Sequence, residues 1–341
     1  MSSPHLTDPH LTNEDQTLDQ TLRPKTFRDY LGQEKIKESL KILIEAAQKR
    51  KEPIEHLLLS GASGLGKTTL AHIIAYETRV GLKVTSGPAI ERVGDLGSIL
   101  TNLSDGDILF IDEAHRLNKL IEEVLYPAME DFKLDIIIGK GPSARTLQLD
   151  LPHFTLIAAT TRPGLLSAPL RSRFGLSYRL DFYELSDMEK IIQRSARILK
   201  IETDPSAVKN IAKCCRFTPR VANRLLKRVR DFAQVKGDGR ISEELAKAAF
   251  KMLEVDELGL EPVDRQILKI IIEKFDGGPV GLQALAAATS EEEDTLEDVY
   301  EPYLMQLGFL TRTPRGRLAS RQAWEHLGLK YPESYQKKLI R

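Results

Sequence analysis

Apolar residues form short continuous runs in the first half of the chain. Three runs predict buried strands, at residues 56–60, 107–111 and 154–159, and residues 67–78 follow a helical pattern. Continuous apolar strands separated by helices are typical of a parallel sheet with helices on both faces. Two further apolar stretches flank a Gly-Lys-Gly-Pro turn and predict a β-hairpin at 133–149, inserted ahead of the third strand.

The pattern becomes helical after residue 184. Residues 185–256 have a period of 3.6, with helix starts expected at Ser186, Asp204, Thr218 and Ser242. Residues 257–341 predict three helices followed by a two-stranded ribbon, which is the pattern of a winged helix. We therefore expect an α/β domain at 21–184, an all-α domain at 185–256 and a winged-helix domain at 257–341.

Composition adds little, but the distribution of charge is informative. The 341 residues are 41% hydrophobic, and Lys+Arg equals Asp+Glu at 49 each, so the net charge indicates no partner. Residues 1–20 contain no Lys or Arg and lack apolar periodicity, and we predict a disordered lead-in. From Arg312 onward basic residues outnumber acidic ones, a local pattern that suits a phosphate backbone.

Cysteine usage and hydropathy indicate a reduced, cytoplasmic protein. Cys214 and Cys215 are adjacent and are interpreted as small residues partly buried in a helix. No apolar run approaches the roughly 18 residues of a spanning helix, and the N-terminus has no signal pattern.

A phosphate-binding loop stands between the first predicted strand and helix. Residues 61–68 read Gly-Ala-Ser-Gly-Leu-Gly-Lys-Thr, the G-x-x-x-x-G-K-T spacing. Gly64 and Gly66 allow backbone N–H groups to face the phosphates of ATP. Lys67 is expected to reach the β- and γ-phosphates, and the Thr68 hydroxyl to ligate Mg²⁺. A Gly-rich turn without a ligand is the alternative, which the order of strand, loop and helix disfavours.

Polar residues at the ends of the later strands complete a hydrolytic site. Asp112 is expected to hold Mg²⁺, and Glu113 to orient or deprotonate the attacking water. Thr160 and Thr161 end the third strand, where their hydroxyls would touch the γ-phosphate or the water, or where the two residues simply terminate the strand. Arg171 or Arg173, on the turn that follows, would stabilise the transferring phosphoryl group. Arg220 would report nucleotide state. Each is otherwise a solvated surface arginine.

These motifs resemble the RuvB family of AAA+ Holliday-junction branch-migration motors over residues 22–327. The matching stretches are Leu22-Arg23-Pro24, Gly64–Ala71, Thr85–Pro88, Glu123–Asp131, Ala159–Arg162, Thr218-Pro219-Arg220, Gly277–Leu282 and Arg312–Arg317. The resemblance implies an AAA+ P-loop domain with a parallel sheet, followed by an all-α lid domain and a winged-helix head.

The resemblance also implies a function and partners. It implies a homohexameric ring that translocates duplex DNA at Holliday junctions, with RuvA bound through the 133–149 hairpin and RuvC in the resolving complex. It makes Arg173 a finger given in trans, Thr161 the first sensor and Arg220 the second. The residues that it places around the nucleotide, besides Gly64, Gly66, Lys67 and Thr68, are Leu22, Arg23, Thr69, Glu130, Asp131, Phe132 and Tyr183.

The DNA contact is expected on the ribbon of the head. The third helix of the head is strongly acidic from Glu291 to Glu301, so it is a poor reader of the major groove. Arg312 and Arg317 on the ribbon are predicted to contact DNA without demanding a base sequence. Glu293 occupies a position where family members often carry a DNA-contacting Arg, and that contact is not carried over.

Two alternatives remain open at this point. Asp-Glu-Ala-His at 112–115 also occurs in superfamily-2 helicases, although neither chain length nor the winged head suits them. The other, non-motor alternative is a non-hydrolysing AAA+ scaffold or clamp-loader-like adaptor that binds DNA and partners, and the complete set of catalytic motifs argues against it.

Overall fold

A computed structural model of the protein describes residues 6, 13–138 and 145–332, apart from the side chains of 13–16, 136–138 and 145–146. The chain forms two compact units. One is Arg23–Tyr183, and the other combines Met1–Leu22 with Glu184–Arg341. The chain therefore passes between the units twice, after Leu22 and after Tyr183.

The elements are numbered in chain order. The strands are β1 Leu57–Ser60, β2 Leu82–Ser86, β3 Ile108–Asp112, β4 Lys133–Ile138, β5 Arg145–Asp150, β6 Thr155–Thr160, β7 Leu176–Arg179, β8 Leu310–Thr313 and β9 Gly316–Ala319. The helices are α1 Asn13–Leu22, α2 Glu34–Arg50, α3 Lys67–Thr78, α4 Val93–Thr101, α5 Lys119–Glu130, α6 Ala168–Ser172, α7 Leu185–Ile198, α8 Pro205–Cys214, α9 Pro219–Lys236, α10 Glu243–Met252, α11 Pro262–Lys274, α12 Leu282–Thr289, α13 Glu293–Thr295, α14 Glu301–Gln306 and α15 Arg321–His326.

A five-stranded parallel sheet organises the first unit, in the order β2-β3-β6-β1-β7. The three predicted strands are the three central ones, and their apolar side chains are buried. The core includes Phe110, Phe154 and Leu59, all essentially inaccessible to water. Because β6 lies between β1 and β3, the carboxyl ends of these strands meet at one edge, where parallel sheets place their ligands.

The predicted hairpin is present as the antiparallel pair β4 and β5. Leu134 is buried and joins the hydrophobic core of the sheet domain, so the base of the hairpin is anchored in the unit. Its turn at 139–144 and the side chains of Ile136, Ile137 and Ile138 lie outside the described residues, so the exposure expected of these isoleucines is not addressed.

Four helices, α7 to α10, form the lid predicted at 185–256. Asp204, Thr218 and Ser242 directly precede α8, α9 and α10, and the Ser242 side chain accepts a hydrogen bond from the Leu245 amide. The first helix begins at Leu185 rather than after Ser186, because Glu184 takes the extended N-cap conformation. Cys214 and Cys215 end α8 as free, buried thiols, as expected.

The lead-in prediction for residues 1–20 requires a correction. Asn13–Leu22 forms the helix α1, which packs on α9, with Leu18 and Leu22 buried. Leu6 is also buried: its amide donates to Glu261 at 2.6 Å, and its carbonyl accepts from Arg224 at 2.7 Å. The polar composition of residues 1–20 suggested disorder, because only a few apolar residues pack this segment against the rest of its unit. Residues 1–5 and 7–12 lie outside the description.

The winged-helix head contains α11, α12, α13 and α14, a π-helical turn at Leu296–Tyr300, and the ribbon of β8 and β9. Gly316 begins β9 with φ 134°, and a Cβ there would stand 2.3 Å from the Val280 carbonyl oxygen. Only glycine therefore permits the isolated bridge between Val280 and Arg317, which ties the ribbon to the residues before α12.

A buried ionic cluster joins the lid and the head within one unit. The Arg216 guanidinium, fully buried, donates to Asp264 and Glu261 and to the Gly259 carbonyl. Arg216 directly follows the two cysteines in the sequence. Breaking such a cluster leaves an uncompensated buried charge, which typically costs about 3–5 kcal/mol.

Candidate nucleotide site and nucleic-acid interface

The phosphate-binding loop connects β1 to α3 as predicted. Gly66 has φ 100° and Gly64 φ 80°, conformations that L side chains rarely adopt. A Cβ on Gly61 would lie 2.5 Å from the Leu180 carbonyl oxygen, so the loop also needs glycine where it passes β7. The Lys67 ammonium donates to the carbonyls of Gly61 and Ala62 at 2.8 and 2.9 Å. The lysine is thereby held across the mouth of the loop.

The two predicted metal ligands are adjacent. The Thr68 hydroxyl donates to Asp112 at 3.1 Å, joining the start of α3 to the end of β3. Two oxygens at this separation suit neighbouring positions around one hard cation, since Mg²⁺ binds oxygen at about 2.1 Å in octahedral geometry. Thr68 and Asp112 therefore fit the expected ion. Thr69, the next residue, lies in the first turn of the same helix.

Glu113 and the polar end of β6 lie at the same edge of the sheet. Glu113 has a left-handed backbone with φ 49°, and its amide donates to Asp112 at 3.0 Å. The side chain is half-exposed and pairs loosely with Arg116. Thr161 directly follows Thr160, whose hydroxyl lies 3.0 Å from the His115 ring. His115 thus links the Asp-Glu turn to β6, a contact that sequence reasoning missed.

The side chain of Tyr183 contacts the backbone of the phosphate loop. The Tyr183 hydroxyl lies 3.1 Å from both the Leu65 carbonyl and the Tyr30 hydroxyl. Burial raises the pKa of Tyr30 to about 12, so Tyr30 remains a neutral phenol. A Cβ added to Gly66 would lie 3.1 Å from the Tyr30 hydroxyl, so Tyr30 packs closely against this glycine. Sequence reasoning did not identify Tyr30, since an isolated tyrosine before a helix carries no motif.

Arg23 opens the first unit and lies near the helix that follows the loop. Burial, and then the positive charge of Arg23, lower the pKa of His72 on α3. Arg23 is therefore close to the phosphate-loop helix, and its role at the nucleotide stays a prediction.

Arg173 forms a second cluster with residues of α5. Its guanidinium donates to Glu130 at 3.1 Å and to the Pro169 carbonyl at 2.8 Å, and it lies 4.4 Å from the centre of the Tyr126 ring. Two predicted nucleotide contacts, Arg173 and Glu130, are thus bound to each other. Asp131 caps α5, and Phe132 packs against His153, with ring centres 4.2 Å apart.

Leu22 and Arg220 belong to the other compact unit. Leu22 is buried, and its carbonyl accepts from Arg194 at 2.8 Å. Arg220, second in α9, keeps 35% of its side chain exposed and lies 3.8 Å from Asp19 of α1. Each unit thus holds part of the predicted set, and the roles of Leu22 and Arg220 at the nucleotide stay predictions.

The predicted DNA contacts lie on the ribbon of the head. The Arg312 side chain is 44% exposed, whereas only 10% of the Arg317 side chain is exposed. Both guanidinium groups bind Glu297 and Glu301. Their roles in DNA binding stay predictions, but the acidic helix and basic ribbon distinguished in the sequence are ionically connected.

The described residues contain neither a further metal centre nor a membrane-spanning helix. No cluster of three or more His, Cys, Asp or Glu is arranged to hold a separate metal ion among them. Across the same ranges, no helix has the length and apolar character needed to cross a membrane.

Comparison with known proteins covers nearly the whole chain. The family model described as the Holliday junction DNA helicase RuvB P-loop domain matches residues 22–180. The RuvB AAA lid domain matches 183–256, and the RuvB C-terminal winged helix domain matches 257–328. These matches confirm the predicted fold class and exclude the superfamily-2 interpretation.

Relatives and solved structures agree. A Holliday junction branch migration complex subunit RuvB from Thermomicrobium roseum is 61% identical over 98% of this chain and 95% of its own. The corresponding protein of Chloroflexus aurantiacus is 57% identical with the same coverage. The structure of the Thermotoga maritima RuvB Holliday junction branch migration motor has a TM-score of 0.85 at 50% identity, covering 92% of this chain and all of that one.

Proposed function

This chain belongs to the RuvB family, and from that premise we propose that it is an ATP-driven motor that moves Holliday junctions along DNA. The observation that carries the proposal is the contact at 3.1 Å between Thr68 and Asp112, beside the ordered Lys67. This contact brings the phosphate loop and the acidic strand end together, which supports a hydrolytic role for them. A non-motor adaptor would not need this combination.

The chemistry that we propose is phosphoryl transfer from ATP to water. Backbone amides of the loop and Lys67 bind the phosphates, and Thr68 and Asp112 would hold Mg²⁺, which supplies positive charge to the phosphate oxygens. Glu113 orients and deprotonates the attacking water. The left-handed backbone of Glu113 turns the chain sharply after β3, and its half-exposed carboxylate is accessible to a water.

We propose that Thr161 is the first sensor of the γ-phosphate. Its neighbour Thr160 is fixed by His115 and by the Arg162 amide, which donates to the Thr160 hydroxyl at 3.0 Å. A strand end held on both sides can position the next side chain accurately, as a sensor requires.

Hydrolysis is completed by a neighbouring subunit in a hexameric ring. Arg173 binds Glu130 of its own chain, and both residues belong to the set that the family places around a nucleotide. We therefore assign Glu130 and Arg173 to one surface, supplied to the site of the next subunit. An arginine finger of this kind contributes about 10³–10⁵-fold to hydrolysis.

The proposed partners follow from family membership. Duplex DNA passes through the ring and contacts the basic ribbon, and RuvA docks on the β4–β5 hairpin. RuvC joins the complex that resolves the junction, in the cytoplasm. We include helicase activity in the proposal, because a moving junction unpairs the strands of one duplex as it pairs them in another.

Complementation between two inactive variants tests the shared site. Lys67→Ala lacks the phosphate lysine but keeps the finger, whereas Arg173→Ala lacks only the finger. Each variant alone should lose at least 10³-fold in ATP turnover with duplex DNA. In an equal mixture, about a quarter of the sites should pair an intact loop with an intact finger, if subunits mix at random in a symmetric ring. Turnover should therefore return to roughly that fraction.

The control is a mixture of Lys67→Ala with the double variant Lys67→Ala/Arg173→Ala, which contains no intact loop and should stay inactive. No recovery in the complementing mixture, with mixed rings demonstrated, would show that Arg173 acts within its own subunit. Wild-type protein that hydrolyses no ATP with duplex DNA and RuvA present would support the adaptor alternative.

A further inference from the structure

The ribbon of the head carries three arginines in two environments. Arg315 is exposed in the turn, and its guanidinium forms no ion pair with any residue that the structure describes. Arg312 and Arg317 lie directly opposite each other on β8 and β9. Like charges at opposite positions on adjacent strands repel, so this pair needs compensation.

The compensation comes from Glu301, the first residue of α14. Its side chain is only 1% exposed, yet it accepts from Arg317 Nε at 2.7 Å and from Arg312 Nε at 3.2 Å. Arg312 Nη2 also donates to Glu301. One buried carboxylate therefore holds both guanidinium groups, in the charge-assisted geometry that gives the strongest hydrogen bonds.

Glu297 supports the same pair from the rim. It accepts from Arg317 Nη2 at 2.8 Å and lies 3.4 Å from Arg312 Nη2, with 21% of its side chain exposed. The Arg317 backbone is fixed as well, because its amide donates to the Val280 carbonyl at 2.8 Å. The Nη1 groups of Arg312 and Arg317 form none of these contacts, so each arginine keeps a donor for another partner.

We propose that Glu301 is a positioning residue for duplex binding, which locks Arg312 and Arg317 side by side as a preformed pair for the DNA backbone. In this proposal the Nε edge of each guanidinium stays on Glu301, and Nη1, which makes none of these contacts, donates to a phosphate. The side chains of Arg312 and Arg317 are already restricted in the folded protein, so DNA binding does not have to restrict their rotamers again. The inference rests on the proposed function, because it assumes that the ribbon contacts DNA.

The sign of the effect separates positioning from simple charge. A carboxylate close to DNA repels phosphates, so electrostatics alone predicts that its removal strengthens binding. A positioning role predicts the reverse for Glu301. Glu293 is a suitable comparison, since it is an exposed carboxylate of the same head without a contact to the ribbon arginines.

The experiment measures duplex affinity against salt concentration for wild type, Glu301→Gln and Glu293→Gln, in the full-length protein. Glu301→Gln should bind about tenfold more weakly, and the slope of log K against log salt should fall by about one to two, as expected when one or two phosphate contacts are lost. Glu293→Gln should bind as tightly as wild type or more tightly. Fluorescence of Trp324, the single tryptophan, reports whether the unit containing the head is folded.

Glu301→Asp keeps the inference testable if Glu301→Gln fails to fold. Aspartate preserves the charge but is one methylene shorter, so weaker binding at equal net charge comes from geometry. Folded Glu301→Gln and Glu301→Asp that bind duplex as tightly as wild type, with the same salt slope, would overturn the positioning role alone. Wild-type protein that binds no duplex would overturn the proposed function together with this inference.

Discussion

At the scale of single residues, His56 shows how one side chain can join two strands and a helix. Its Nδ1 accepts from the Leu156 amide at 2.8 Å, and its Nε2 lies 3.0 Å from the Met129 carbonyl. Only the neutral ring with the proton on Nε2 satisfies both partners. Burial lowers the pKa of His56, although the Met129 carbonyl and the charge of Glu55 oppose the shift.

Acidification should destabilise the unit that contains His56. Its pKa is below 6.5 when folded and ordinary when unfolded, so the unfolded chain binds more protons at mildly acidic pH. The contribution of neutral His56 to the free energy of unfolding is fully present above about pH 6.5. It is lost as the pH falls through 6.5 toward the pKa of the folded state. Hydrogen exchange at the Leu156 amide, expressed as a protection factor between pH 7.5 and 5.0, measures this loss.

His56→Gln provides the control, since glutamine does not titrate in this range. The variant should be less stable at pH 7.5 but should lose less protection on acidification. Equal losses in the variant and in wild type would assign the pH dependence to other groups.

At the scale of elements, burial explains which strands the sequence revealed. β1, β3 and β6 are buried on both faces, so they appear as unbroken apolar runs. β2 and β7 lie at the sheet edges with exposed residues such as Lys83 and Arg179, and neither strand was predicted. The short helix α15 was missed for a similar reason, because six residues carry too little periodicity.

The candidate site follows the same division. Lys67, Thr68 and Asp112 belong to a motif with fixed spacing, and the structure brings them together. Tyr30 and His115 act through contacts between distant segments, which no local pattern encodes. The pairing of Glu301 with the ribbon likewise depends on how α14 packs against β8.

Helix α1 should contribute measurable stability, although its sequence suggested disorder. Leu18 is buried, and its helix packs on α9. A Leu→Ala substitution at a buried position typically lowers the free energy of unfolding by about 2–5 kcal/mol. Leu18→Ala should therefore lower the denaturation midpoint followed by Trp324 fluorescence. Gln20→Ala, an exposed position on the same helix, should leave the midpoint almost unchanged. A Leu18→Ala midpoint equal to that of Gln20→Ala would show that α1 adds nothing to the unit.

At the scale of the whole molecule, the two units differ in how the chain builds them. Arg23–Tyr183 is continuous, whereas the other unit combines both ends of the sequence. Both passages between units occur beside residues expected at the nucleotide, Leu22, Arg23 and Tyr183.

The continuous unit should fold by itself. A fragment spanning residues 23–183 contains the complete five-stranded sheet and its core, so we expect one cooperative thermal transition by circular dichroism. Phe154→Ala leaves a cavity at a buried core position, so it should lower the midpoint temperature of that transition. A broad, non-cooperative melt that Phe154→Ala does not alter would show that the fragment lacks a native core.

The division of one unit between both chain ends also has a consequence for synthesis on the ribosome. Helix α1 emerges first, but its partner α9 ends at Lys236, beyond the entire sheet domain. At roughly 5–20 residues per second, α1 waits on the order of 10–40 s for that partner. The mostly polar sequence of α1 suits this interval, since a nascent helix with few apolar side chains offers little surface for premature association.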